Sequence, residues 1–93
     1  MPTKPTVTAK MIMELIESQG FRCALSNRQL TPENASLDHV IPLSRGGTHD
    51  IENLCVVHHQ VNTAKSSMTV DEFVTLCREV TESQDQFTST VPA

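Results

Sequence analysis

Asp38 and His39 stand side by side near the middle of the chain, and Asn62 follows further on. Together these residue types can hold a metal ion and move a proton. Histidine has a free pKa of about 6.5, which suits proton transfer near neutral pH. Asp supplies a hard carboxylate oxygen and Asn a neutral, hard carbonyl oxygen, a pair that selects Mg2+ or Mn2+ over Zn2+. Two protein ligands leave positions on such an ion for water and phosphate oxygens. Neighbours in a regular strand point to opposite faces, so Asp38 and His39 can address one site only where a strand ends.

The elements that must position these residues can be read from periodicity and capping chemistry. Thr8 can cap a helix over residues 8–19 that stops at Gly20, with Met11, Ile12, Leu15 and Ile16 as its apolar stripe. Residues 21–24 read as a short strand. Residues 36–41 alternate toward a second strand that ends at Pro42. Gly46-Gly47 marks a loop, and residues 50–53 read as one helical turn capped by Thr48. Cys55-Val56-Val57 is β-prone, and residues 58–65 read as a short helix. Thr69-Val70-Asp71-Glu72 forms a capping box for a last helix, which places Val70, Phe73, Val74, Cys77 and Val80 on one face. From Ser83 onward the chain is polar and aperiodic, which predicts a flexible tail. His49 reads as an ordinary loop residue, and Cys55 and Cys77 as small buried apolar groups.

The chain has 93 residues, with 7 Lys+Arg against 11 Asp+Glu, a formal charge of −4, and aromatics at 3%, all Phe. That balance excludes capture of a nucleic acid by a broad basic face or a stacking platform. The charge is uneven: residues 1–30 carry +2, residues 31–67 carry −2 and residues 68–93 carry −4. No apolar run approaches the roughly 20 residues of a membrane span. Three cysteines, an odd number without a dense framework, point to a reducing compartment and hence a cytoplasmic location.

Asp38-His39-Val40-Ile41-Pro42-Leu43-Ser44-Arg45-Gly46-Gly47, then Ile51-Glu52-Asn53-Leu54, then Asn62-Thr63-Ala64-Lys65, resembles the signature of HNH endonucleases, with His39 and Asn53 14 positions apart and Asn53 and Asn62 9 apart. The resemblance implies an α+β fold with a ββα-metal core, in which an antiparallel two-stranded hairpin and a helix surround one divalent ion, flanked here by N- and C-terminal helices. It implies cleavage of DNA phosphodiester bonds. By position, Asp38 and Asn62 match the metal ligands, His39 the general base, and Asn53 the residue that pins the loop between the strands. Lys65 matches a basic position suited to a phosphate contact. Arg45 and His58 are further candidates for substrate contact, weighed against plain surface charge and a plain structural histidine. The implied organisation is a loose N-terminus at 1–7, one nuclease domain at 8–82 with its catalytic core at about 21–67, and the tail at 83–93.

Many members of the family carry a zinc knuckle of two Cys-x-x-Cys pairs. Here Cys23-Ala24-Leu25-Ser26 and His58-His59-Gln60-Val61 keep only Cys23 and His58, whereas structural zinc needs four ligands. The expectation is therefore one Mg2+ or Mn2+ and no structural zinc, with Leu25, Val57 and Val61 packing in the knuckle's place. DNA is the expected partner, with room for a protein partner or a homodimer. The rival reading is a non-catalytic DNA-binding module, or an accessory part of a larger DNA-processing machine such as phage packaging; the negative charge and the lost knuckle favour it.

Overall fold

A computed structural model describes residues 6–90, with side chains as far as residue 87. The expected N-terminal segment lies largely outside the described residues, as do residues 91–93. The elements follow in the order α1 (Ala9–Ser18), β1 (Ala35–His39), β2 (Leu54–His58), α2 (His59–Lys65) and α3 (Val70–Thr90). β1 and β2 form a two-stranded antiparallel sheet, with Ala35 opposite His58 and His39 opposite Leu54. This is the α+β hairpin-and-helix arrangement expected of a small ββα core.

α1 starts where the Thr8 hydroxyl accepts the Met11 N–H at 3.1 Å. It ends before Gly20, whose φ of +66° is a left-handed conformation that glycine adopts without strain. Ile12, Leu15 and Ile16 pack on a core of buried Cys23, Leu30, Val56 and Val57. The side chain of Gln19 reaches the open edge of β2. Its Nε2 donates to the Val56 carbonyl at 2.8 Å and its Oε1 accepts the Val56 N–H at 3.0 Å. One amide thus engages both backbone groups that Val56 turns to this edge, and the Ala24 N–H donates to the same carbonyl at 3.1 Å.

Residues 21–24 do not form the expected strand. A single bridge joins Arg22 to Gln29, and the Leu30 N–H donates to the Phe21 carbonyl at 2.8 Å. The reason is local: Phe21 and Asn27 sit at φ of +59° and +65°, so the chain turns at both ends of a segment too short to pair further. The turn before β2 is a 3-10 turn at Ile51–Asn53 whose cap position is Asp50 rather than Thr48.

One buried ion pair ties α2 to β1. Lys65, at the last turn of α2, is 1% exposed and Asp38 is 4% exposed. The Lys65 ammonium donates to Asp38 Oδ1 at 3.1 Å and to the His39 carbonyl at 2.9 Å. Among the described residues no buried side-chain nitrogen or oxygen lacks a partner. Leu25 and Val61 pack against the core beside Val57, around the position of the Cys-x-x-Cys pairs.

α3 opens with the expected capping box: the Thr69 hydroxyl accepts the Glu72 N–H at 3.1 Å, and the Glu72 carboxylate accepts the Thr69 N–H at 2.9 Å. Its length differs from the expectation. The flexible tail expected from Ser83 is instead helix as far as Thr90, because no Gly or Pro interrupts the segment before Pro92. The apolar face of α3 is not a core face. Every residue from 74 to 87 is exposed, Cys77 included, so that cysteine is not the buried group expected. The radius of gyration is 16.2 Å, against about 12 Å for a compact chain of this length. α3 accounts for that extension. Among the described residues no helix is long and apolar enough to cross a membrane.

Two predictions follow from these contacts. Most helical stability in proteins comes from tertiary packing, which the exposed residues 74–87 lack, so α3 amides beyond residue 74 should exchange hydrogen orders of magnitude faster than those of Val56 and Val57. Native-state exchange read by NMR checks this. Replacing Lys65 by Met strands a buried carboxylate and should cost about 3–5 kcal/mol. Adding Asp38→Asn should return most of that loss, as urea unfolding of the two singles and the double will show.

Candidate functional site

The end of β1 forms one wall of an open cleft of about 450 Å³, and the end of α2 forms the other. Asp38, His39, Asn62 and Lys65 all line it, with Ser44 and Ser66 at its rim. Asp38 and His39 share the cleft because the strand stops at His39 and the chain turns away toward Pro42. Asp38 faces Cys55 across the hairpin, and the Cys55 thiol lies 3.9 Å from Asp38 Oδ2. Burial pushes that thiol up to about 11, and the Asp38 charge pushes the same way, so Cys55 stays protonated.

Asn53 stands outside the cleft and closes the loop that follows β1. Its Oδ1 accepts the Ile41 N–H at 2.9 Å, and its Nδ2 donates to the carbonyls of Ile41 at 2.9 Å and Thr48 at 2.7 Å. The backbone adds a bond from the Val40 N–H to the Asn53 carbonyl at 2.9 Å. The loop is drawn in so tightly that a Cβ on Gly47 would fall 1.8 Å from the Ile41 oxygen. Asn53 therefore reaches the cleft through backbone, by fixing the residues that leave His39.

Asn62 projects from α2, and its Nδ2 donates to the Ser36 hydroxyl at 2.6 Å. That bond sets the amide's orientation and leaves its Oδ1 without a donor among the described residues. Each oxygen of Asp38 has two lone pairs, and Lys65 and Cys55 engage one on each. The carboxylate and the Asn62 carbonyl thus retain hard-oxygen capacity at one cleft and can hold a Mg2+-type ion. Among the described residues no three His, Cys, Asp or Glu side chains gather as a ligand cluster. The donor set is the carboxylate-plus-carbonyl pair, which fits an ion that keeps water and phosphate oxygens as its other ligands.

Three positions read from the sequence as substrate contacts are engaged within the protein. Lys65 is not an outward-facing cation; its ammonium is spent within the protein on Asp38 and His39. Arg45 pairs with Glu72 at the start of α3, and its guanidinium, followed by the Thr69 N–H, holds the Glu72 carboxyl below its ordinary value. His58 caps α2, its Nδ1 accepting the Gln60 N–H at 3.1 Å, and its ring stacks on His59 with centroids 4.9 Å apart. Desolvation, then the charges of His59 and Arg28, hold His58 below the usual histidine value. The sequence reading missed His49: its Nδ1 lies 2.9 Å from His39 Nε2. Nothing in the spacing of a loop histidine signals that contact.

Gly47→Ala should be severely destabilising, because the Ile41 carbonyl that the Cβ would strike is itself held by Asn53. A loss of about 3 kcal/mol or more, or roughly 10–20 °C in Tm, is expected by thermal denaturation. Gly46→Ala, where a Cβ meets nothing within 4 Å, bears only the strain of its φ of +89° and should cost less.

No curated protein matches the chain. The sequence model of the family described as HNH endonuclease matches residues 23–88. That span takes in the whole hairpin, the Asn53-closed loop, α2 and most of α3. Running from the first core cysteine to the exposed end of the last helix, it covers most of the molecule and places this chain in the HNH endonuclease family.

Proposed function

We propose that this chain is an endonuclease that hydrolyses DNA phosphodiester bonds with the help of one Mg2+ or Mn2+ ion. Family membership supports nuclease action in general. The observation that carries the sharper reading is the meeting of Asp38, His39 and Asn62 at one open cleft. In this reading Asp38 and Asn62 would hold the ion, which would supply charge stabilisation to the scissile phosphate and the departing oxygen. His39 takes a proton from a water molecule as that water's oxygen bonds to phosphorus. The bond from phosphorus to the 3′ oxygen breaks, and that oxygen takes its proton from solvent water as it leaves. Asn53 keeps His39 in place through the loop.

Lys65 sets an electrostatic condition on the site. Because its ammonium already balances Asp38, a divalent cation entering alone meets a neutral wall with a positive charge beside it. Entry together with an anionic phosphate removes that repulsion, so ion and substrate should bind cooperatively. With a chain charge of −4 and no cationic side chain assigned to phosphate, DNA binding should be weak and should depend only shallowly on salt. Arg45, already paired, and His58, already a cap, are assigned no substrate contact. The carboxylate engaged by Lys65 also favours a second reading, a non-catalytic DNA-binding or accessory module. Both readings are compatible with a cytoplasmic protein.

Relaxation of supercoiled plasmid separates the two. The wild type with Mg2+ or Mn2+ should nick the plasmid, EDTA should abolish nicking, and His39→Ala should lose at least about 10²-fold in rate. Asp38→Asn should lose activity in a way that higher metal concentration partly restores. A wild type that is inert across several divalent ions and salt levels, or a His39→Ala protein that cuts as well as the wild type, removes the nuclease reading.

A further inference from the structure

We propose that His49 is the positioning residue for His39: by accepting a hydrogen bond at its Nδ1, it selects the tautomer in which His39 can act as a base. This rests on the nuclease reading above and deepens it. The two rings lie with His39 Nε2 and His49 Nδ1 2.9 Å apart, centroids 5.2 Å apart and planes tilted by 44°. Two neutral imidazoles in such a contact share one proton, and its owner decides the chemistry. If His39 carries it on Nε2, its Nδ1 bears a lone pair and can take a proton from water. If His49 donates it instead, the His39 proton sits on Nδ1 and the ring has no free basic nitrogen. The base role therefore requires His49 to be the acceptor, with its own proton on Nε2.

The surroundings of His49 fit an oriented acceptor rather than a passing loop residue. The residues on either side of it are fixed by Asn53: the Thr48 carbonyl accepts from Asn53 Nδ2 at 2.7 Å, and the Asp50 carbonyl accepts from the Asn53 N–H at 2.8 Å. The same Asn53 side chain holds the Ile41 backbone two residues beyond His39. One residue thus sets both imidazoles. His49 is exposed, so its Nε2–H can donate to water without a protein partner. Once His39 has taken a proton it becomes a cationic donor, and the bond to His49 becomes a stronger, charge-assisted one. His49 touches no substrate in this scheme; it acts through His39.

The test uses the full chain, supercoiled plasmid and Mg2+, with kcat and KM measured separately. His49→Phe keeps a ring but no acceptor, whereas His49→Asn places a carbonyl oxygen near the position of Nδ1. His49→Phe should lower kcat by about 10–100-fold, the scale seen when a partner that orients a functional imidazole is removed, with KM within about twofold. His49→Asn should recover most of that kcat. Tm should stay near the wild-type value in both, since the residue is exposed. Long-range 1H–15N spectra of the imidazoles, recorded without substrate, should show the His39 proton on Nε2 in the wild type and in His49→Asn, and a tautomer mixture in His49→Phe. Unchanged kcat in His49→Phe, failure of His49→Asn to restore it, or a wild-type His39 protonated on Nδ1 would each overturn the proposal. A wild type that cuts nothing removes the nuclease reading and the catalytic role of His49 with it; the spectra then decide the imidazole pairing by themselves.

Discussion

The contact between Lys65 and Asp38 is the constraint on which the site depends. It joins the last turn of α2 to the end of β1, and its second bond, to the His39 carbonyl, fixes the backbone of the neighbouring residue. Desolvating two charges is expensive, and their attraction offsets the cost only where geometry is good and the remaining donors are satisfied. The pair is therefore weak support for overall stability and strong support for one arrangement. If α2 slid or rotated, Lys65 would leave a carboxylate buried and unpaired. That penalty keeps Asn62, three residues earlier on α2, facing the same cleft as Asp38.

A second constraint works on the other side of β1. Asn53 acts on the loop as a short piece of sheet would, accepting from one backbone N–H and donating to two carbonyls. Gly47 makes the close approach possible, since its missing Cβ is space that the Ile41 carbonyl occupies. Lys65 and Asn53 thus hold His39 from both directions, the first through the His39 carbonyl and the second through the residues that follow. Neither side chain has to touch a substrate to govern where the imidazole sits. In a chain of 93 residues with a small core, such polar clamps supply the precision that a larger hydrophobic core would supply elsewhere.

Legibility in the sequence followed the range of the interactions. α1 and the start of α3 were readable because Thr8, Gly20, Thr69 and Glu72 are local signals acting within one turn. β1 and β2 were readable from the alternation at residues 36–41 and the β-prone Cys55-Val56-Val57, whereas the loop role expected of Asn53 came from the resemblance to a known family. What could not be read depended on distance in space. The burial of Lys65 is set by Asp38, 27 positions earlier, and a lysine at the end of a helix otherwise reads as solvated. The contact of His49 with His39 depends on how tightly the loop closes. The extent of α3 was missed because the chain from Ser83 is polar and aperiodic, which gives no helical signal; the exposure of Val74, Cys77 and Val80 was missed because an amphipathic stripe ordinarily signals a helix with a partner face.

The placement of α3 also bears on how an acidic chain would work on a polyanion in the nuclease reading. The net −4 is carried by residues 68–93, while residues 1–67 balance to zero. Of the acids in that segment, Asp71 and Glu72 lie at the base of the helix, and Glu72 is paired there with Arg45. Glu79, Glu82 and Asp85 lie at least seven residues further along, about 10 Å or more at 1.5 Å per residue. The Debye length at physiological ionic strength is about 8 Å, so these charges are largely screened from Glu72 and from the end of the helix nearest the body. Their repulsion should be felt only at low salt, where counterion release favours DNA binding most. Glu79, Glu82 and Asp85 therefore need not compete with a polyanion near the base of the helix. The cleft presents a balanced pair, Asp38 with Lys65, and in the nuclease reading the positive charge that a phosphodiester requires would arrive with the metal ion.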